Sequence, residues 1–352
     1  DGIEPYEQFP CNLGTFQPTS GQTSCISASP GHYVGEQAST SQTQCTPGTY
    51  QPDYGQGSCL DASPGNYSSG EASIRQTQCS SGTYQPSSGA SACLTASAGY
   101  FVADFGAHQQ TPCPAGTYQM LTGMASCFDT NPGFYAASEG STAQDQCPSG
   151  TYSSQIGQAN CTDASPGHYA MGLQQTSQSP CQPGEFQPIA GEESCLETYP
   201  GYYSDAEGTT EQIPCAPGTY QDQAGQISCL EAEPGHYASE SGSTSQTPCP
   251  AGTFSDAPGQ SECTEAEPGN YVDLDGATGQ TPCPPGQYQS ENGSQGCEDP
   301  PPGQTASPDG SSTSACPAGK YKPEGQEICM DASPGHFVNE TGAASQTPCE
   351  PG

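Results

Sequence analysis

The chain has 352 residues, among them 45 glycines, 36 prolines and 21 cysteines but no tryptophan, and its 38 acidic and three basic residues give a formal charge of −35. So few core-forming residues exclude a set of conventional globular domains, because apolar burial falls short of the entropy of ordering the chain. The charge repels nucleic acid and anionic lipid and would attract divalent cations or basic partners, its plainest use being a solvated surface.

Cysteine supplies the missing constraint. Cross-links that restrict the unfolded state stabilise by roughly 3 kcal/mol for a loop of about 15 residues, and they persist only in oxidising compartments. The chain opens at Asp1 without a basic, apolar leader and contains no apolar run long enough for a bilayer. A mature, soluble, extracellular segment is therefore expected.

Residues 1–10 resemble the tail of a half-repeat, "EQFPC" matching "EQIPC" further on. From Cys11 the cysteine steps alternate 14 and 20, which sets a 34-residue period. The predicted repeats are 11–44, 45–78, 79–112, 113–146, 147–180, 181–214, 215–248, 249–282, an irregular 283–315, an irregular 316–348, and the start of another at 349–352. After Cys297 the steps slip to 19, 13 and 20.

Within each repeat the two halves look alike. The first half, as in Cys45 to Cys59, reads Cys-x-Pro-Gly-Thr-Tyr-Gln-Pro, and the second carries Ser-Pro-Gly-x-Tyr before Gln-Thr-x-Cys. Glycine three residues after the first cysteine recurs from Gly14 and Gly48 to Gly352, which predicts a tight turn that a Cβ would hinder. A second glycine, from Gly21 and Gly55 to Gly325, is expected to close a hairpin.

One aromatic follows each turn, such as Phe16, Tyr50 and Tyr84 in first halves and Tyr33, Tyr67 and Phe101 in second halves. Stacked on a disulfide and the neighbouring turn, these rings are expected to form nearly the whole core. No helical pattern appears. The fold class expected is small, disulfide-rich and all-β: tandem repeats of two β-hairpin half-repeats, stacked into an elongated rod or solenoid. Four strand-like layers per repeat at roughly 4.8 Å would advance it about 20 Å.

Cys-Pro-Ala-Gly-Thr-Tyr at 113–118 and Cys-x-Pro-Gly-Thr-Tyr-Gln at 45–51 resemble the ephrin-receptor-like cysteine-rich repeat, related in pattern to the first module of tumour-necrosis-factor-receptor repeats. The resemblance covers residues 11–352 and names a module rather than a function. The family usually has Cys-x-x-Cys at each junction between halves. Here Gln42, Gln76, Gln110 and their equivalents stand three residues before a first cysteine, and Ala28, Ala62, Ala96 and others three residues after a second one.

Two ladders are open to the surviving cysteines, one of 14-residue loops and one of 20-residue loops. The resemblance implies the shorter: Cys11–Cys25, Cys45–Cys59, Cys79–Cys93, Cys113–Cys127, Cys147–Cys161, Cys181–Cys195, Cys215–Cys229, Cys249–Cys263, Cys283–Cys297 and Cys316–Cys329. Cys349 is then left for a partner beyond Gly352.

Catalytic and metal chemistry find no foothold in the pattern. No two cysteines lie close enough for a zinc pair or a thioredoxin-like Cys-x-x-Cys. His32, His168, His236 and His336 share one repeat position, which elsewhere holds Asn66, Tyr100 or Gln304, as in an exposed turn; His108 lies apart. Asp273 and Asp275 in "DLDG" lack the other ligands of a calcium loop, so calcium is expected only as a non-specific bridge and no cofactor or enzymatic activity is expected. N-glycan acceptors occur at Asn66, Asn292 and Asn339, with Asn160 doubtful beside Cys161, and Ser/Thr-rich loops at 38–44, 241–247 and 305–314 are candidates for O-linked sugars.

These readings point to a structural extracellular glycoprotein, a rod within a cell-surface fibre or filament that associates with itself or with other surface glycoproteins. The rival reading is a receptor or adhesin ectodomain binding a protein or glycan. Its contact surface would be the irregular "CEDPPPGQTASPDGSSTSAC" at 297–316, together with Lys320 and Lys322.

Overall fold

Turn glycines stand 17 residues apart at Gly14, Gly31, Gly48 and Gly65, each with positive φ, so the physical unit is half the sequence period. The computed structural model describes residues 8–350; residues 1–7 of the N-terminal tail and residues 351–352 of the last partial repeat lie outside them. After each glycine come two extended residues, a loop, and two more extended residues that pair back. Thr49–Tyr50 pairs antiparallel with Leu60–Asp61, and Asn66–Tyr67 with Thr77–Gln78. Among the described residues there are nineteen such two-stranded sheets and no helix. The small, disulfide-rich all-β class is therefore the observed one, although the loops are too long for a two-residue hairpin turn.

Contacts divide the chain into two units. One comprises Asp1–Ala164, Ala170–Gln178 and Gly191–Glu193; the other comprises Ser165–Tyr169, Ser179–Ala190 and Ser194–Gly352. In the first unit each hairpin is tied to the next by backbone bonds at fixed places. Gly48 N–H donates to Ser68 O at 2.7 Å, Gln51 N–H to Ser73 O at 2.9 Å, and Ala72 N–H back to Cys45 O at 2.8 Å. The second unit repeats the scheme, with Gly218 N–H to Ala238 O at 2.7 Å and Gln221 N–H to Ser243 O at 3.0 Å. Two-residue strands are too short to hold alone, so this ladder gives each hairpin its stability from its neighbours.

Hairpins also touch the one two places along. A Cβ on Gly89 would lie 3.6 Å from the Asp61 carboxyl, and one on Gly106 would lie 3.3 Å from Gln78 Nε2. Half-repeats of one kind thus stack on their own kind, which makes 34 residues one full coil.

The rings do not form the core as expected. Tyr50, Tyr67 and Tyr84 are only half-buried, and the fully covered positions lie elsewhere. First cysteines such as Cys11, Cys45 and Cys79 are buried, and so are Ala28, Ala62 and Ala96, the residues 17 positions on from each. A second buried position, three residues after each turn glycine, alternates Gln51, Gln85 and Gln119 with Val34, Ser68 and Val102. These glutamines fold into their own loops: Gln119 Nε2 donates to Ser126 O at 2.8 Å and its Oε1 accepts from Leu121 N–H at 3.0 Å. A buried amide is tolerated because both of its ends are paired.

Gln119→Leu keeps the volume but leaves two loop backbone groups without partners. A loss of about 2 kcal/mol is expected, read as faster hydrogen exchange of the 119–127 amides.

Candidate functional site

Two kinds of clasp close the hairpins, and they alternate. Cys45–Cys59 and the equivalent bonds, from Cys11–Cys25 to Cys283–Cys297, span 14 residues with Cα atoms 5.7–5.8 Å apart, while Cys316–Cys329 spans 13. In the intervening hairpins Ala62 takes the place of the first cysteine and Gln76 that of the second. Gln76 Oε1 accepts from Ser63 N–H at 2.7 Å. The same bond joins Gln42 to Ser29, Gln110 to Ser97, Gln212 to Tyr199 and Gln280 to Glu267. Ala28 and Gln42 therefore occupy one absent disulfide, with a side-chain amide doing the closing. Cys349 is exposed and has no disulfide partner among the described residues.

The pattern breaks at residues 284–329, within the second unit. Gly319 and Gly325 are one residue closer than Gly14 and Gly21, so the loop between them is shorter. In regular coils the N–H seven residues after a turn glycine donates to the carbonyl three before the preceding one, as Gly55 does to Ala28 O at 2.9 Å. At Pro300 the donor is a side chain: Lys322 Nζ donates to Pro300 O at 2.9 Å, with the lysine only 1% exposed. Lys320, by contrast, is half-exposed and pairs with Asp331 at 2.8 Å.

An open cavity of about 400 Å³ adjoins this break, lined by Pro284, Pro285, Gln287, Asp299, Lys322 and Glu327. Lys322 is thus a strut of the ladder rather than a surface contact. Lys322→Met leaves the Pro300 carbonyl unpaired. It should cost about 1–2 kcal/mol, seen as lost protection of the 303 and 316 amides against exchange.

Residues 307–312 form the turn of the irregular hairpin. The hydroxyl of Ser307 donates to Asp309 Oδ1, as does Ser311 N–H at 3.2 Å, and these bonds hold the Asp309 carboxyl below its usual range, at about 2. A depressed carboxylate stabilises the turn fully above its unfolded pKa and loses that contribution as pH falls through the folded value. The turn should therefore loosen between about pH 4 and pH 2, which carboxyl NMR titration of Asp309 would follow.

The other candidate residues are dispersed. Asn160, Asn292 and Asn339 are exposed, whereas Asn66 is half-buried in a strand and donates to Pro64 O at 3.3 Å. Ser68 of the same acceptor triplet is buried, its hydroxyl donating to Thr49 O at 2.9 Å. His32 Nδ1 lies 3.3 Å from Pro30 O and His168 Nδ1 3.3 Å from Pro166 O, each within its own turn. Asp275 Oδ1 accepts from Ala251 N–H at 2.8 Å. Among the described residues there is no group of three or more His, Cys, Asp or Glu able to hold a metal ion, and no helix long and apolar enough to cross a membrane.

Residues 9–45 and 201–249 match the family model described as tyrosine-protein kinase ephrin type A/B receptor-like. No curated protein matches the chain. The two matched stretches share their hairpins, clasps and ladder with the repeats between them. Their disulfide density is that of an extracellular module. The chain is a tandem array of cysteine-rich repeats that at residues 9–45 and 201–249 is similar to the ephrin-receptor-like repeat.

Proposed function

We propose that the chain is a structural extracellular glycoprotein whose repeats form a stiff rod, one segment of a cell-surface fibre or filament. The observation that supports this most is the backbone ladder, renewed from hairpin to hairpin along the regular coils of each unit, such as Gly14 N–H to Val34 O and Gly201 N–H to Gln221 O. Nearest-neighbour bonds of this kind resist bending locally and allow length to grow by repetition. Glycans at Asn66, Asn292 and Asn339 would shield the acidic surface, and self-association or binding to other surface glycoproteins would build the fibre. Calcium would act only as a bridge between acidic surfaces.

Electron micrographs of the purified chain decide the matter. Thin particles on the order of 200 Å long support the rod, and compact globular particles overturn it. Filaments that stay bundled in chelator at low ionic strength would remove calcium from the account.

A receptor or adhesin ectodomain is the second reading, favoured by the break at residues 297–316 and its adjoining cavity. The encoded sequence beyond residue 352 separates the two readings. A membrane span with a cytoplasmic domain favours the receptor, and further repeats favour the fibre.

A further inference from the structure

The two hairpin types differ where the fold does not require it. In the first four disulfide hairpins of the first unit, the residue opposite the turn aromatic is Ile26, Leu60, Leu94 and Phe128, paired with Phe16, Tyr50, Tyr84 and Tyr118, and in the fifth it is Thr162, paired with Tyr152. The four apolar residues are 45–48% exposed. The same position in the glutamine-clasped hairpins holds Thr43, Thr77, Thr111 and Asp145, paired with Tyr33, Tyr67, Phe101 and Tyr135. Since threonine serves there in an otherwise equivalent hairpin, packing does not explain the large apolar side chains. They form a half-exposed row, in register because disulfide hairpins stack on disulfide hairpins.

At the neighbouring strand position, charge shows a similar division. The next residue along is Ser27, Asp61, Thr95, Asp129 and Asp163 in the disulfide hairpins of the first unit but Gln44, Gln78, Pro112 and Gln146 in the others. The disulfide hairpins therefore set a carboxylate directly beside a large apolar residue at Leu60–Asp61 and Phe128–Asp129, whereas the exposed carboxylates of the glutamine-clasped hairpins, such as Glu36, Glu71 and Glu139, have no such apolar neighbour in the strand. The chain itself is a poor occupant of the face that carries the apolar row, because it has only three basic residues, of which Lys322 is buried and Lys320 is paired with Asp331. An unpartnered apolar row flanked by carboxylates fits a ligand that offers both apolar and cationic groups.

We propose that the face carrying Ile26, Leu60, Leu94 and Phe128 beside Asp61 and Asp129 is a docking surface for a cationic polypeptide. Its recognition element is lysine or arginine interspersed with aliphatic or aromatic side chains. Apolar contacts give the affinity and the carboxylates give the steering, so binding weakens with salt without vanishing. The second unit carries the same combination at Leu196–Glu197 and Leu230–Glu231.

The test uses the full chain and two fluorescent 12-residue peptides, one alternating leucine and lysine, the other lysine alone. The alternating peptide should bind about tenfold more tightly by anisotropy. Leu60→Thr with Leu94→Thr, which installs the residue that the glutamine-clasped hairpins already accommodate, should abolish that advantage and leave the oligolysine affinity unchanged. Asp61→Asn with Asp129→Asn should weaken both peptides and flatten the salt dependence. Equal affinities for the two peptides, or a preference that survives the threonine variant, overturns the proposal. So does a concentration-dependent dimer in sedimentation that the threonine variant abolishes, which would assign the face to a second copy.

Discussion

A Gly48→Ala variant is expected to lose about 3 kcal/mol or more of local stability, whereas Gly21→Ala loses about 1 kcal/mol. Both glycines have positive φ, +95° and +78°, so both substitutions carry the left-handed backbone penalty. They differ in surroundings. A Cβ on Gly48 would stand 2.2 Å from Gly89 O, which is main chain held in the next coil, whereas nothing lies within 4 Å of a Cβ on Gly21. The tolerance of the loop position is already visible in Ala38 and Ala72, non-glycine residues with φ of 59° and 53° at the place that Gly21 occupies.

Repeat arrays need not unfold in one step, so the readout is local hydrogen exchange rather than a single midpoint. The amides of Gly48, Gln51 and Ala72 donate the bonds that the clash would break. Their protection should fall sharply in Gly48→Ala and stay near the parent level at the same sites in Gly21→Ala. Equal effects from the two substitutions would mean that the coils do not approach as closely as described.

Ala62→Cys with Gln76→Cys should close an additional disulfide and stabilise that hairpin by about 3 kcal/mol, the chain-entropy figure for a loop of this length. The reason is positional equivalence. Ala62 and Gln76 stand 17 residues after Cys45 and Cys59, whose Cα atoms are 5.8 Å apart, and Ala62 is buried as Cys45 is. What the change removes is modest, the 2.7 Å bond from Ser63 N–H to Gln76 Oε1. Thiol titration and non-reducing mass mapping read the new bond directly. The reverse exchange, Cys79→Ala with Cys93→Gln, should keep the hairpin and lower its protection by a similar amount. Persistent free thiols in the first variant would show that the two hairpin types are not superposable at their clasps.

Much of the fold is visible in the letters. The Pro-Gly-x-Tyr pattern of "SPGNY" marks the turns because only glycine takes those angles under another backbone, and the absence of helical spacing marks an all-β chain. The buried column is harder to read. Gln51, Gln119 and Ser68 look like surface residues, and only their recurrence three places after each turn glycine signals burial, because their polar atoms are satisfied by loop or neighbouring-strand backbone that a sequence does not display. The aromatics mislead for the opposite reason: large rings suggest a core, yet Tyr50 lies half-exposed against Leu60 on a two-residue strand with no second layer above it.

Gln42 and Ala28 look like two separate losses from a Cys-x-x-Cys pattern until the 17-residue equivalence makes them the two ends of one clasp. Lys322 was legible as an oddity in an acidic chain but not as a strut, since its role depends on a residue deleted from its own loop. The alternation of Leu60–Asp61 with Thr77–Gln78 is present in the sequence. It gains meaning only when hairpins of one kind are seen to stack on each other.

The alternation of covalent and amide clasps is tested most directly by proteolysis of the unreduced chain and mass identification of the linked peptides. Cys45 should be found joined to Cys59 and Cys79 to Cys93, with the peptides holding Ala62 and Gln76 released unlinked. Recovery of Cys25 joined to Cys45, or Cys59 to Cys79, would place the cross-links in the other hairpins and contradict the account.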